Sequence, residues 1–316
     1  MDLKVPTIDF RNYSEWKKGS EKWNLVRDGV FKALEKYGCF EALLDGEIPK
    51  EQLYEKLKQV FNLNLDEKFE KSQNVLVGYT RDNPRTPLQE RMMIGNVLTH
   101  DAVQNFSYIL WPQGDPKFCD LVLGYSKKLL EFDDMVRIMV FEKLGLERYL
   151  DDHKKSGDYL LNCMKYKVGE ETNVGVPPHT DKIISTILSQ HDQHVNGLQI
   201  LDKNGQWIDL QYSSPHSYMY FVGDCFKAFT NGRFHSSTHR VIMGNEERFS
   251  MGFTTIPKQG YIIKVPEELV DEHHPLLYKP FDGSKYLPFY MSGVRRGVVE
   301  TIESFCGVSP NTQDLS

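Results

Sequence analysis

Apolar residues change their spacing along this chain, and the change divides it in two. Over residues 14–36, 50–69 and 118–146 they recur every three or four positions, the period of helices with one buried face. Pro49 just ahead of Glu51 and Gln52 suits the start of the second helix. VPTIDF opens the chain as a short β-like segment, and GCFEALLD between the first two helices predicts a strand. After Gly157 the period drops to two. LLNCMKYKV, KIISTILSQ, NGLQIL, GQWIDL, HSYMYFVGD, STHRVIM, RFSMGFTTI and YIIKV are rich in Val, Ile, Tyr and Phe and are punctuated by Gly, Asn and Pro. Asn204-Gly205, between LQIL and WIDL, marks a hairpin, because both residue types tolerate positive φ.

Eight short strands in so compact a stretch predict a closed jelly-roll. The expected fold class is mainly β with flanking helices, around a double-stranded β-helix (jelly-roll) core. No repeat, low-complexity tract or Pro/Gly linker interrupts the chain, so one domain is expected over 1–316. Within it, 1–157 should be mostly helical, 158–265 should form the jelly-roll core, and 266–316 should return to loop and helix. Residues 75–106 carry no clear period and read as surface loop, with a lid over the site as the alternative.

Composition then narrows the setting. With 40% hydrophobic and 26% charged residues the chain is too apolar for disorder. A net charge of −6 opposes nucleic-acid binding, which needs a concentrated positive face. No apolar stretch is long enough to cross a bilayer, and MDLKVPTIDF holds no leader-like apolar core. The five cysteines are scattered, odd in number and never arranged CxxC, which argues against a zinc knuckle and a disulfide framework. A cytoplasmic monomer acting without nucleic acid or membrane is expected.

The chemistry concentrates in the β half. His179 and Asp181 flank Thr180 just after Pro177-Pro178, and on a strand residues i and i+2 point to one side. A third ligand should come from a strand distant in sequence, and His239 is the best candidate. His235 competes, but on an extended strand the two histidines would lie roughly 13 Å apart, so only one can serve. Two imidazoles and one carboxylate form a facial triad that leaves open positions on an octahedral iron. Arg248 and Ser250 share one strand face by the same alternation. A guanidinium fork with a neighbouring hydroxyl fits a terminal carboxylate.

VPTIDF, YGCFEALLD, PPHTD, NGLQI, GDCFKAFTNGRFHSSTHRV and ERFSMGF together resemble the plant 2-oxoglutarate- and Fe(II)-dependent dioxygenase family. MKYKV, HTDKIISTIL, PEELVDEHHPLLYKPFD and LPFY are similar to its alkenyl- and hydroxyalkyl-producing subgroup. The resemblance implies His179, Asp181 and His239 as iron ligands and Arg248 and Ser250 as anchors of the far 2-oxoglutarate carboxylate. Tyr166 is implied as a further cosubstrate contact, although Lys165-Tyr166-Lys167 stands where many relatives carry Asn-Tyr-Tyr. Fe(II), 2-oxoglutarate and O2 are the implied reactants, with ascorbate as the reductant in vitro. The implied function is oxidation of a small specialised metabolite by hydroxylation, dealkylation or desaturation, releasing succinate and CO2. Halogenation is not implied, because Asp181 fills the position that halogenating relatives leave to a small residue. Met164, Ile184 and Phe253 are expected near the metal, with Phe106, Phe289 and Tyr290 closing over an apolar or aromatic substrate of few charges. The competing readings are a metal-dependent hydrolase on a cupin-like barrel and a non-catalytic small-molecule receptor.

Overall fold

Local signals fix the helices before packing does. Ser20 opens α1 (Glu21–Tyr37) by accepting the Trp23 N–H, and the helix closes on Gly38 at φ +67°. A Cβ on Gly38 would also strike the His235 carbonyl, so the position requires glycine twice over. Helices α2 (Lys50–Phe61), α3 (Leu65–Phe69) and α4 (His100–Leu110) follow. Asp115 then caps α5 (Pro116–Leu144), with Pro116 in its first turn and Gly145 at its end. The computed structural model describes residues 4–69, 77–170 and 172–308. Among them, no helix is long and apolar enough to cross a membrane.

Among the described residues, twelve strands build the two larger sheets. They are β1 (Thr7–Asp9), β2 (Cys39–Leu43), β3 (Val77–Thr80), β4 (Gln89–Gly95), β5 (Gly157–Tyr166) and β6 (Val174–His179), then β7 (Ser185–Gln190), β8 (Leu198–Leu201), β9 (Trp207–Asp209), β10 (Ser217–Val222), β11 (His239–Ile242) and β12 (Arg248–Pro257). The larger sheet runs β1-β2-β10-β7-β12-β5-β4-β3, and the smaller runs β6-β11-β8-β9. Pro177 and Pro178 are tolerated inside β6 because that strand lies at the edge of its sheet.

One face of the larger sheet packs against α5. There the Asp133 carboxylate meets the Arg137 guanidinium at 2.6 Å, both fully buried. Hydroxyls of Ser185 on β7, Tyr220 on β10 and Thr255 on β12 also donate to Asp133, at 3.0, 3.0 and 3.2 Å. A single helical carboxylate thus ties three strands to the helix layer.

One expectation needs correction. Residues 77–106 are not surface loop: β3 and β4 pair with each other, β4 pairs with β5, and α4 follows. Residues 75 and 76 lie outside the described residues. In β4 the alternating Glu90, Met92 and Ile94 are buried while Gln89, Arg91 and Met93 are only partly so. Polar side chains on the second face hid the strand. Residues 1–157 are mostly helical among those described, and they also supply β1 to β4, half of the larger sheet.

Candidate active site

The inner face of the larger sheet looks toward the smaller one, and polar side chains gather between them. His179 ends β6 and faces His239 on β11 across the antiparallel ladder, with ring centroids 4.2 Å apart. Asp181 lies past the end of β6, in the connection to β7, so convergence with His179 does not come from strand alternation alone. That connection is pinned from outside. The Asp224 N–H donates to the Asp181 carbonyl at 2.7 Å. The Asp224 carboxylate receives the Thr180 and Tyr286 hydroxyls at 2.9 and 2.7 Å and pairs with Lys182 at 3.0 Å. Preceding it, Gly223 packs so tightly on the Ile183 carbonyl that a Cβ would collide. The GDCF segment therefore acts as a clamp on the ligand loop.

Each of the three groups presents one free atom to a common point. His179 Nδ1–H donates to the Pro177 carbonyl at 2.9 Å, and His239 Nδ1–H to the Ser237 carbonyl at 3.1 Å. A carbonyl can only accept, so each ring carries a proton on Nδ1, and in its neutral form offers a bare Nε2. Thr186 donates to Asp181 Oδ2 at 2.7 Å, leaving Oδ1, which stands 3.9 Å from each Nε2. Burial, and then the neighbouring His239 ring, push the His179 imidazole down to about 4, so it is neutral at physiological pH. Burial would raise Asp181, but the His239 and His179 rings when protonated, and the Thr186 hydrogen bond, outweigh it and hold the carboxyl below its usual range. One anionic oxygen and two neutral nitrogens, all within 4.8 Å of one another, fit a divalent iron. His235 joins no such cluster among the described residues.

Arg248 and Ser250 share the inner face of β12, as their spacing predicts, with Nη1 and Oγ 3.3 Å apart. Both are buried. The register sets Ser250 opposite Gln190 and Thr254 opposite Thr186, so they occupy the face that carries the hydroxyl holding Asp181. Arg248 contacts the Gln190 amide oxygen only at 3.2 and 3.3 Å, and pairs with no carboxylate among the described residues. Tyr166 lies opposite it, its ring 5.2 Å from the guanidinium and its hydroxyl accepting from Gln89 at 2.9 Å.

The expected pocket residues divide. Met164 is on the inner face, opposite Ser250 and Arg91. Ile184 is buried one residue ahead of β7. Tyr290 lies 4.6 Å from the Lys182 ammonium, next to the ligand loop, whereas Phe289 packs on Phe305. Phe253 and Phe106 need correction. Phe253 shares its face with Ile187 and Thr255 and so belongs to the α5 side, because alternation reverses at each residue. Phe106 packs against Phe69 and Phe118 within the helix layer. Thr186, Gln190, Asn162 and Arg91 escaped the sequence reading. Arg91 left no local signal, since QERMMIG over 89–95 does not alternate polar with apolar residues and only its burial in the folded sheet does.

Residues 148–257 match the model of the 2OG-Fe(II) oxygenase superfamily. The probable 2-oxoglutarate-dependent dioxygenase AOP1 of Arabidopsis thaliana is 39% identical, over 94% of this chain and 99% of its own. Among solved structures, the rice dioxygenase for auxin oxidation superposes with a TM-score of 0.77 at 23% identity, covering 96% of this chain and all of its own. The Arabidopsis thaliana dioxygenase for auxin oxidation 1, solved with 2-oxoglutarate, gives 0.74 at 22% identity over 86% and 99%.

Proposed function

Given that the chain belongs to the 2OG-Fe(II) oxygenase superfamily, we propose that His179, Asp181 and His239 hold the iron and that Arg248, Ser250 and Tyr166 hold 2-oxoglutarate. The protein is a 2-oxoglutarate-dependent dioxygenase acting on a small molecule. When bound, Fe(II) with 2-oxoglutarate and O2 supplies the oxidising power, and succinate and CO2 are the coproducts.

The chain's own residues have separable tasks. The Pro177 and Ser237 carbonyls orient the two rings, and Thr186 leaves Asp181 one oxygen to give. The Arg248 guanidinium balances the far carboxylate of 2-oxoglutarate, and the Ser250 hydroxyl adds a donor beside it. The buried faces of Phe221, 4.9 Å from His239, and of Tyr166 keep water away. With Asp181 present, the outcome on substrate is hydroxylation, dealkylation or desaturation. The five cysteines, all buried and unpaired, support a reducing, cytoplasmic setting, and the net charge of −6 supports action without nucleic acid. Strands from 1–157 hydrogen-bonded into the core sheet support one domain.

The convergence of two bare Nε2 atoms and one free Oδ1 carries this reading. Anaerobic addition of Fe(II) and then 2-oxoglutarate tests it. A weak visible charge-transfer band should form in the wild type and vanish in Asp181→Ala. In Arg248→Ala it should demand roughly 10- to 100-fold more 2-oxoglutarate, the loss of one or two charge-assisted hydrogen bonds. An iron-loaded, folded protein that gives no band would overturn the assignment.

A further inference from the structure

We propose that Arg91, braced by Asn162, is a specificity-determining residue that binds a carboxylate on the substrate, so that this enzyme oxidises a small organic acid. The inference deepens the reading above and rests on it.

Arg91 projects from the inner face of β4, opposite Met164, which in turn stands opposite Ser250. One edge of its guanidinium is anchored: Nε and Nη2 donate to the Asn162 amide oxygen at 3.0 and 2.6 Å, and Nη2 also lies 3.6 Å from Met93 Sδ. Asn162 is itself held, donating to Thr254 Oγ1 at 2.8 Å. Thr254 stands opposite Thr186, whose hydroxyl binds Asp181. A chain of side chains thus runs from the guanidinium to the iron ligand. Burial lowers the Arg91 pKa, with Tyr166 and the Asp181 carboxylate opposing that shift, which sets the cation within electrostatic reach of the metal centre.

What Arg91 lacks is a counter-charge. It pairs with no carboxylate among the described residues, and Nη1 has no protein acceptor there. Arg91 keeps part of its surface open to the space between the sheets, and one amide oxygen leaves its charge uncompensated, so an anion entering there meets a cation with a free edge. The far carboxylate of 2-oxoglutarate has its own cation, since Arg248 sits one row along the sheet, opposite Tyr166, with β5 between it and β4. The substrate is the natural source of a second anion at this edge. A single guanidinium matches a single charge, and its free edge suits the planar oxygens of a carboxylate. Met93, Met164 and Leu188 on the same face supply apolar surface for the rest of the molecule. The expected apolar substrate of few charges becomes an acid with an apolar body.

Matched pairs test this on the anaerobic Fe(II)·2-oxoglutarate holoprotein, read by perturbation of the charge-transfer band. The probes are phenylacetate, 3-phenylpropionate and octanoate, each beside its primary amide, which keeps the shape and removes the charge. The wild type should bind at least one acid ~10-fold or more tighter than its amide, the scale of one charge-assisted fork. Arg91→Gln should erase that preference through the acid alone, while its 2-oxoglutarate dissociation constant stays unchanged. Arg91→Lys should keep part of the preference, and it decides the question if Arg91→Gln fails to fold. Equal binding of acid and amide in every pair would overturn the proposal. So would a preference that survives Arg91→Gln, or a 2-oxoglutarate constant that rises as far as the acid's. Absence of the band itself in the wild type would instead break the underlying iron and 2-oxoglutarate reading.

Discussion

The two faces of the larger sheet treat charge in opposite ways. On the α5 side, Arg137 has a carboxylate at 2.6 Å, and that carboxylate accepts from three further hydroxyls. On the inner side, Arg248 and Arg91 meet only uncharged partners among the described residues, while two imidazoles and a carboxylate aim free atoms at one another. The first arrangement is complete without any ligand; the second is complete only with one. A protein pairs its charges where nothing is to bind and leaves them unpaired where binding must be driven. Stability and function are therefore written on opposite faces of the same strands.

That contrast can be broken at either face. Asp133→Asn strands the buried Arg137 cation and should cost about 3–5 kcal/mol, the usual result of removing one partner of a buried pair. Denaturant unfolding of the ligand-free protein measures it, and a loss below 1 kcal/mol would deny that the helix-side pair holds the layers together. Thr186→Val frees Asp181 Oδ2 and unsettles the ligand's orientation. Iron affinity should fall about 10- to 100-fold, as for other supporting contacts to metal ligands, with the melting temperature barely moved. Iron titration of the two proteins side by side reads the difference. Arg248→Met removes a buried cation that no protein carboxylate balances. Ligand-free stability should stay within about 1 kcal/mol of the wild type or rise. A destabilisation as large as that of Asp133→Asn would erase the distinction between the faces.

Much of the site was legible because it depends on short-range geometry. Arg248 and Ser250 sit two apart in one strand, and alternation alone turns them the same way. His179, Asp181 and His239 were identifiable as a set by residue type and order. Alternation failed for Phe253, whose apolar character fits either buried face and whose parity could not be referred to the metal without the register. Residues 77–106 failed for a related reason: a strand whose inner face is polar by function gives a weaker apolar signal than one that faces only core.

The sequence by itself determined the element types outside 77–106, the jelly-roll core and the residues able to hold iron and a dicarboxylic acid, since these rest on periods and residue chemistry. Tertiary structure decided which face each strand turns inward, that Asp224 clamps the loop bearing Asp181, and that Arg91 has an amide where a counter-ion would stand. Those facts arise from strands brought together across long sequence separations, and no local pattern records which residues will face each other there.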